Sequence, residues 1–398
     1  MAVGLAYPVD IQPVPGIRIA AGYAGIRKKR QSDLVLIEAE QGSLFAATFT
    51  RNLFCAAPVN VAKKHLQHAP RFLLINAGNA NAGTGEQGLS DARACCEALA
   101  MEAGCDAEQV LPFSTGVIGQ RLPVAKFQRA LPDLVTELND DAWMEAALGI
   151  MTTDTVPKAV SKKVSLNNKI VTITGIAKGA GMIRPDMATM LAFIATDAVI
   201  DQSLLEDIHS EFVADSFNCI TIDGDTSTND ACVLIATGKS EVKIERDDEF
   251  CVALKAVYMQ LAQSIVRDGE GATKFVTVNI KAASNTDDAK KIAFSIAHSP
   301  LVKTALFASD ANWGRILAAA GRSGADVNID KVGISINDVQ ILSNGQLVET
   351  YTEEMGAKAM APSEIAIDVQ LGLGDANFTV WTCDFSHDYV SINADYRT

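Results

Sequence analysis

The chain never keeps one kind of periodicity for long. Short apolar runs that stop at glycine or polar turn residues, such as "FLLINAG" (72–78) and "KIVTITGIA" (169–177), alternate with stretches whose apolar residues recur at helical spacing. The chain therefore reads as mixed α and β. Ser90 is placed to cap a helix whose apolar face carries Cys95, Leu99 and Met101 and which stops at Gly104. A stronger helix spans "EFCVALKAVYMQLAQSIVRDG", with Phe250, Leu254, Val257, Leu261 and Ile265 in register and Gly269 at its end. After the strand-like "FVTVNIKAA" (275–283), the polar patch "SNTDDAKK" reads as a boundary. Beyond it come a helix, "ALFASDANWGRI" as strand and turn, a hairpin at Asn344-Gly345, and a period-two strand at Ile365, Ile367, Val369 and Leu371. These suffice for a smaller C-terminal α+β domain. No internal repeat or low-complexity linker is visible.

A length of 398 residues favours two domains over one, and 48% hydrophobic residues is enough to fill both cores. The formal charge of -14 argues against nucleic acid or an anionic membrane surface as partner. The eight cysteines follow no metal-ligand spacing, Cys95-Cys96 being adjacent, and read as small buried hydrophobes. The start, "MAVGLAYPVD", shows no targeting signal, and the apolar run from Met187 to Thr196 falls short of the ~20 residues a spanning helix needs. The expectation is a soluble, cytoplasmic protein.

Most familiar chemistries are excluded by spacing. None of the five histidines (65, 68, 209, 298, 387) lies in HExxH or near a GxSxG elbow, and His209, beside Leu205, Ile208 and Phe212, reads as packed. "DGDTSTND" (223–230) begins like a calcium loop but has Thr228 at its sixth position and Leu234 at its twelfth, so it reads as an Asx-rich turn. "GIAKGAG" lacks both phosphate-loop spacings. What remains is Thr189, inside "KGAGMIRPDMATMLAFIATDA" (178–198). A threonine without a histidine base becomes a nucleophile when it is N-terminal, its own α-amine, with a pKa near ~8, serving as base. Small Ala188 leaves room for the hydroxyl to attack the preceding carbonyl, and Gly179, Gly181 and Pro185 suit a strained turn. On pattern alone the alternative stands beside it: Thr189 simply opens a buried strand.

The segment 178–198 resembles the signature of the ornithine acetyltransferase family, also called glutamate N-acetyltransferase. "NAGNANAGTG", "PFSTGVIG", "MTTDTVPK", "SFNCITIDGDTSTND", "DGEGATK", "SDANWGRI" and "SINADYRT" resemble further family blocks, in family order, to the last residue. The resemblance implies self-cleavage between Ala188 and Thr189 into an α-chain (1–188) and a β-chain (189–398). It implies transfer of acetyl from N-acetylornithine to glutamate through Thr189, in ping-pong order, with Thr115 and Gly116 as oxyanion hole. Substrate binding falls by resemblance to Thr153, Lys178, Thr189, Glu270, Asn393 and Thr398. Without it, Lys178 reads as a solvated charge, Glu270 as a polar residue after a helix, and Asn393 and Thr398 as a tail. The implied fold is a layered α/β sandwich of sheets between helices (1–282) with a smaller C-terminal α+β domain (283–398). Two α- and two β-chains are expected to form a heterotetramer. No metal or cofactor is implied, and acetyl-CoA is left open as a co-substrate. A related self-processing aminopeptidase or amidase is the enzyme alternative, and a non-catalytic binding protein the other.

Overall fold

The computed structural model describes residues 2–28, 30–184 and 190–395. They divide into two compact units, Ala6–Asn218 with Asp225–Ile265, and Met1–Leu5 with Cys219–Gly224 and Val266–Thr398.

The larger unit opens with β1 (Ile17–Gly22), β2 (Leu34–Ala39), β3 (Leu44–Phe49), α1 (Ala57–His65), β4 (Phe72–Asn79), α2 (Gly85–Ala103) and β5 (Val110–Val117). It continues through α3 (Val124–Thr136), α4 (Trp143–Ile150), β6 (Lys158–Leu166), β7 (Lys169–Lys178), β8 (Leu191–Thr196), α5 (Gln202–Asp215), β9 (Ala231–Ala236) and α6 (Glu249–Arg267), whose last two residues belong to the smaller unit. The strands form two sheets, β1-β2-β4-β5 and β3-β9-β8-β7-β6. Strand alternation makes the sandwich. Val35 and Ile37 of β2 join Leu73, Phe113, Phe193 and Val233 in a core between the sheets, whereas Leu34 and Leu36 point the other way, toward Leu99 of α2 and Leu131 of α3. On the second sheet, a Cβ at Gly175 would lie 2.9 Å from both Ile194 and Leu261, so the missing side chain lets α6 settle against β7. The layered arrangement expected from the resemblance is thus present, and the five apolar positions of α6 are all buried.

One helix departs from its reading. α2 begins at Gly85, where Asn81 Nδ2 donates to the Gly88 carbonyl at 2.9 Å, so Ser90 is interior and not a cap. Met101 is 84% exposed and lies off its apolar face, whereas Gly104 ends the helix in the left-handed conformation as expected.

In the smaller unit lie β10 (Phe275–Ala283), α7 (Thr286–Ala297), α8 (Pro300–Phe307), α9 (Trp313–Gly321), β11 (Gly333–Ile336), β12 (Val339–Ser343), β13 (Gln346–Leu347), α10 (Glu353–Met360), β14 (Glu364–Gln370), β15 (Ala376–Cys383) and α11 (His387–Ala394). Its sheet runs β13-β12-β11-β14-β10-β15, with α7 packed on it through Ile292 and Ile296. Asn344 and Gly345 both take positive φ in the β12–β13 hairpin, as that dipeptide demands. The patch "SNTDDAKK" is no linker: Asn285 Oδ1 accepts from Asp288 N at 2.8 Å and starts α7. This unit begins ahead of residue 283, because β10 is an interior strand paired with β14 and β15. "ALFASDANWGRI" is not strand and turn but the end of α8, a turn and the start of α9. Ser299 and Asn312 cap the two helices, accepting from Val302 N and Arg315 N.

Candidate active site

In the larger unit, three of the singled-out blocks interlock where β4 and β5 end. The two strands run parallel with Gly78 opposite Gly116, both at positive φ (111° and 127°). A Cβ at Gly116 would lie 2.4 Å from the carbonyl carbon of Gly78, so the strands approach too closely for any other residue. The ladder is irregular there, Asn79 pairing with both Thr115 and Val117. Side-chain amides hold it: Asn229 Nδ2 donates to Ala80 O at 2.6 Å and to Ser114 O at 2.9 Å, and Ser114 Oγ donates to Asn76 Oδ1 at 2.6 Å. The Asx-rich turn is thereby a clamp on the strand that carries Thr115 and Gly116.

Lys178, the last residue of β7, is 4% exposed and donates to Thr115 Oγ1 at 3.3 Å. Two sequence-predicted residues therefore meet. The turn after β7 is tied down by Asp154, whose Oδ1 accepts from Lys158 Nζ and from Gly179 N, both at 2.7 Å, and whose Oδ2 accepts from Thr152 N at 2.9 Å. Burial would raise the Asp154 pKa, but the Lys158 and Lys178 ammoniums and the donated hydrogen bonds outweigh it and hold the carboxyl well below the usual carboxylate range. Half-buried Thr153 stands between Thr152 and Asp154 on the same turn. Asp230 completes the cluster: its Oδ1 accepts from Met190 N at 2.9 Å, and burial pushes its pKa up well above normal against the pull of that N–H and of Lys178.

In the smaller unit, Glu270 is 7% exposed and accepts from Asn393 Nδ2 at 2.8 Å. The loop around it is fixed by Asp384, which accepts from Thr273 N and Lys274 N at 2.8 Å, and by Ser386 Oγ, which donates to Gly271 O at 2.6 Å. Ala188, Thr189 and Thr398 lie outside the described residues.

Sequence reasoning passed over Asp154, Asp230 and Asn229. The first sits in a hydroxyl-rich string, the others in what reads as an ordinary turn. A usable signal is the wholly apolar β9, "ACVLIA", which follows Asp230 at once and draws the preceding carboxyl inside. Among the described residues, none of the eight cysteines is in a disulfide, no three His, Cys, Asp or Glu side chains converge as metal ligands, and no helix is long and apolar enough to cross a membrane.

The ArgJ family model matches residues 18–398. The chain is similar to the arginine biosynthesis bifunctional protein ArgJ of Pseudomonas syringae pv. tomato, 52% identical over 405 residues and 100% of both chains. It is 53% identical over 396 residues to the protein of that name from Methylococcus capsulatus, covering 98% of this chain and 97% of the other. A crystal structure of the arginine biosynthesis bifunctional protein argJ from Bacillus halodurans is 39% identical over 51% of this chain and 97% of that one, with a TM-score of 0.49. A match over 18–398 and half of all positions shared with relatives along their whole length place the chain in the ArgJ family.

Proposed function

We infer that the chain is an acyltransferase of arginine biosynthesis that moves acetyl from N2-acetyl-L-ornithine to L-glutamate. Membership of the ArgJ family along nearly the full length carries this reading. The precursor cuts itself between Ala188 and Thr189, and the freed α-amine of Thr189 takes the proton from its own hydroxyl. The hydroxyl attacks the acetyl carbonyl, ornithine leaves, and glutamate then receives the acetyl from the threonine ester. Thr115 and Gly116 stabilise the oxyanion at each step, a role supported by the glycine-only approach that fixes their strand. Lys178 pairs with a substrate carboxylate and Glu270, with Asn393, binds a cationic amine, while Thr153 and Thr398 complete the recognition. The cycle calls for no cofactor. Acetyl-CoA serves as a second acetyl donor to glutamate, a proposal supported by the word bifunctional in the relatives' names. The enzyme works in the cytoplasm as two α- and two β-chains.

Intact mass under denaturing conditions tests the first step. Two pieces meeting at 188/189 are expected, and Thr189→Ala should remain one 42.3 kDa inactive chain. Two pieces from that variant, or acetylornithine turnover indifferent to glutamate, would reject the transferase.

A further inference from the structure

Arg27 lies in the loop between β1 and β2, where no motif points to it. Buried Asp33, just ahead of β2, sets its place: one carboxylate accepts from Ala24 N at 2.7 Å, Ile26 N at 2.6 Å and Arg27 N at 2.9 Å, so the loop is wrapped round it. The Arg27 side chain then makes two contacts. Its stem covers Gly78, where an added Cβ would lie 2.8 Å from Arg27 Cγ. Its fork reaches the end of α4, where Nη2 donates to Gly149 O at 3.0 Å and also to Met151 O. These carbonyls sit at the last turn and cap of a helix, which leaves them without donors of its own and favours a cation there. The arrangement is not a cheap one. Burial lowers the guanidinium's pKa against the pull of Asp33 and Asp154, no carboxylate among the described residues pairs with it, and Nε is enclosed without a partner.

What the two contacts hold supplies the reason. Met151 opens the turn that carries Thr153 and, next to it, Asp154, which fixes Gly179 N beyond Lys178 at 2.7 Å. Gly78 stands opposite Gly116 on the parallel pair β4–β5. We propose that Arg27 is a positioning residue of acetyl transfer, setting the Thr153 turn through its fork and the strand end of Gly116 through its stem. It touches no substrate in this role and acts only through those two. The inference rests on the reading that the chain is an acetyltransferase in which Thr153 binds substrate and Gly116 belongs to the oxyanion hole. A loosened turn weakens binding, whereas a loosened oxyanion strand slows the chemical step, so the two contacts should separate in the kinetics. Lysine cannot replace the fork, because a single ammonium on a flexible stem does not hold two carbonyls in a fixed plane.

The test measures transfer from acetylornithine to glutamate by the full-length chain. Arg27→Met keeps the stem and loses the fork; it should raise the substrate KM by about 10-fold with kcat within about 3-fold of wild type. Arg27→Ala loses both and should lower kcat by about a further 10-fold. A double-mutant cycle separates positioning from general loosening: in a Thr153→Ala background, Arg27→Met should change KM by less than about 2-fold, and effects that multiply in full would overturn the inference. Arg27→Lys serves if the methionine variant folds poorly, and a wild-type KM in it would also overturn the inference, since charge alone would then suffice. Amide hydrogen exchange gives a readout apart from turnover. Exchange at residues 152–155 should quicken in Arg27→Met, and unchanged exchange would show that the fork holds nothing there. A wild type that transfers no acetyl sinks the reading of function, and the exchange measurement still decides whether Arg27 holds the turn.

Discussion

Asp154 and Lys158 are fully enclosed as side chains, 2.7 Å apart, in the turn that holds the backbone beyond Lys178. Removing one partner of such a pair leaves a buried charge unanswered, so Asp154→Asn should lower unfolding stability by about 3–5 kcal/mol, read from the urea midpoint. The double variant Asp154→Asn with Lys158→Met should recover most of that loss. Gly116→Ala forces a Cβ into the backbone of β4 and demands a positive φ of alanine; it should cost at least about 1–3 kcal/mol on the same measurement. At this scale the sequence was least legible. Without the family resemblance Lys178 reads as a solvated charge and Glu270 as a polar residue after a helix, yet both are buried. Local sequence carries no record of which strand end will face a lysine, because the facing groups, Thr115 for Lys178 and Asn393 for Glu270, come from 63 and 123 residues away.

Between elements, His209 is the pin of the outer helix layer. Its Nε2 shares a hydrogen bond with Thr48 Oγ1 of β3 at 2.9 Å and its Nδ1 one with the Tyr258 hydroxyl of α6 at 2.7 Å, tying α5 to both. Burial lowers its pKa to about 3, against an ordinary value of about 6.5. Below pH 6.5 the unfolded chain takes up a proton that the folded one refuses until about pH 3, so stability should fall across that window. The slope attributable to this residue is about 1.4 kcal/mol per pH unit, and His209→Gln should remove it from urea midpoints measured between pH 6.5 and 4. That His209 packs was legible from its neighbours at helical spacing; its two partners were not. Strands with clean alternation, β7 and β14, were legible almost to the residue. The helices α8 and α9 were missed because their capping residues, Ser299 and Asn312, look like any other polar loop residues until a backbone N–H donates to them.

For the molecule as a whole, the resemblance anticipated a sheet sandwich with a second, smaller unit, and both are present. The boundary was harder to read, since β10 is apolar enough to belong to either unit and only its pairing with β14 and β15 assigns it. The order β3-β9-β8-β7-β6 has a consequence for a chain cut at 188/189. The pair β8–β9, from the second piece, is then flanked by β3 on one side and β7–β6 on the other, all from the first. The first piece brackets the strands of the second on both sides, so two such polypeptides would be woven into one fabric and could not be lifted apart as subunits can. Native mass should find them only together, and urea should separate them in the same transition that melts the sheet. In a chain so cut, neither piece can complete that sheet alone, and damage to the strands of one will be felt as misfolding of the sheet they share.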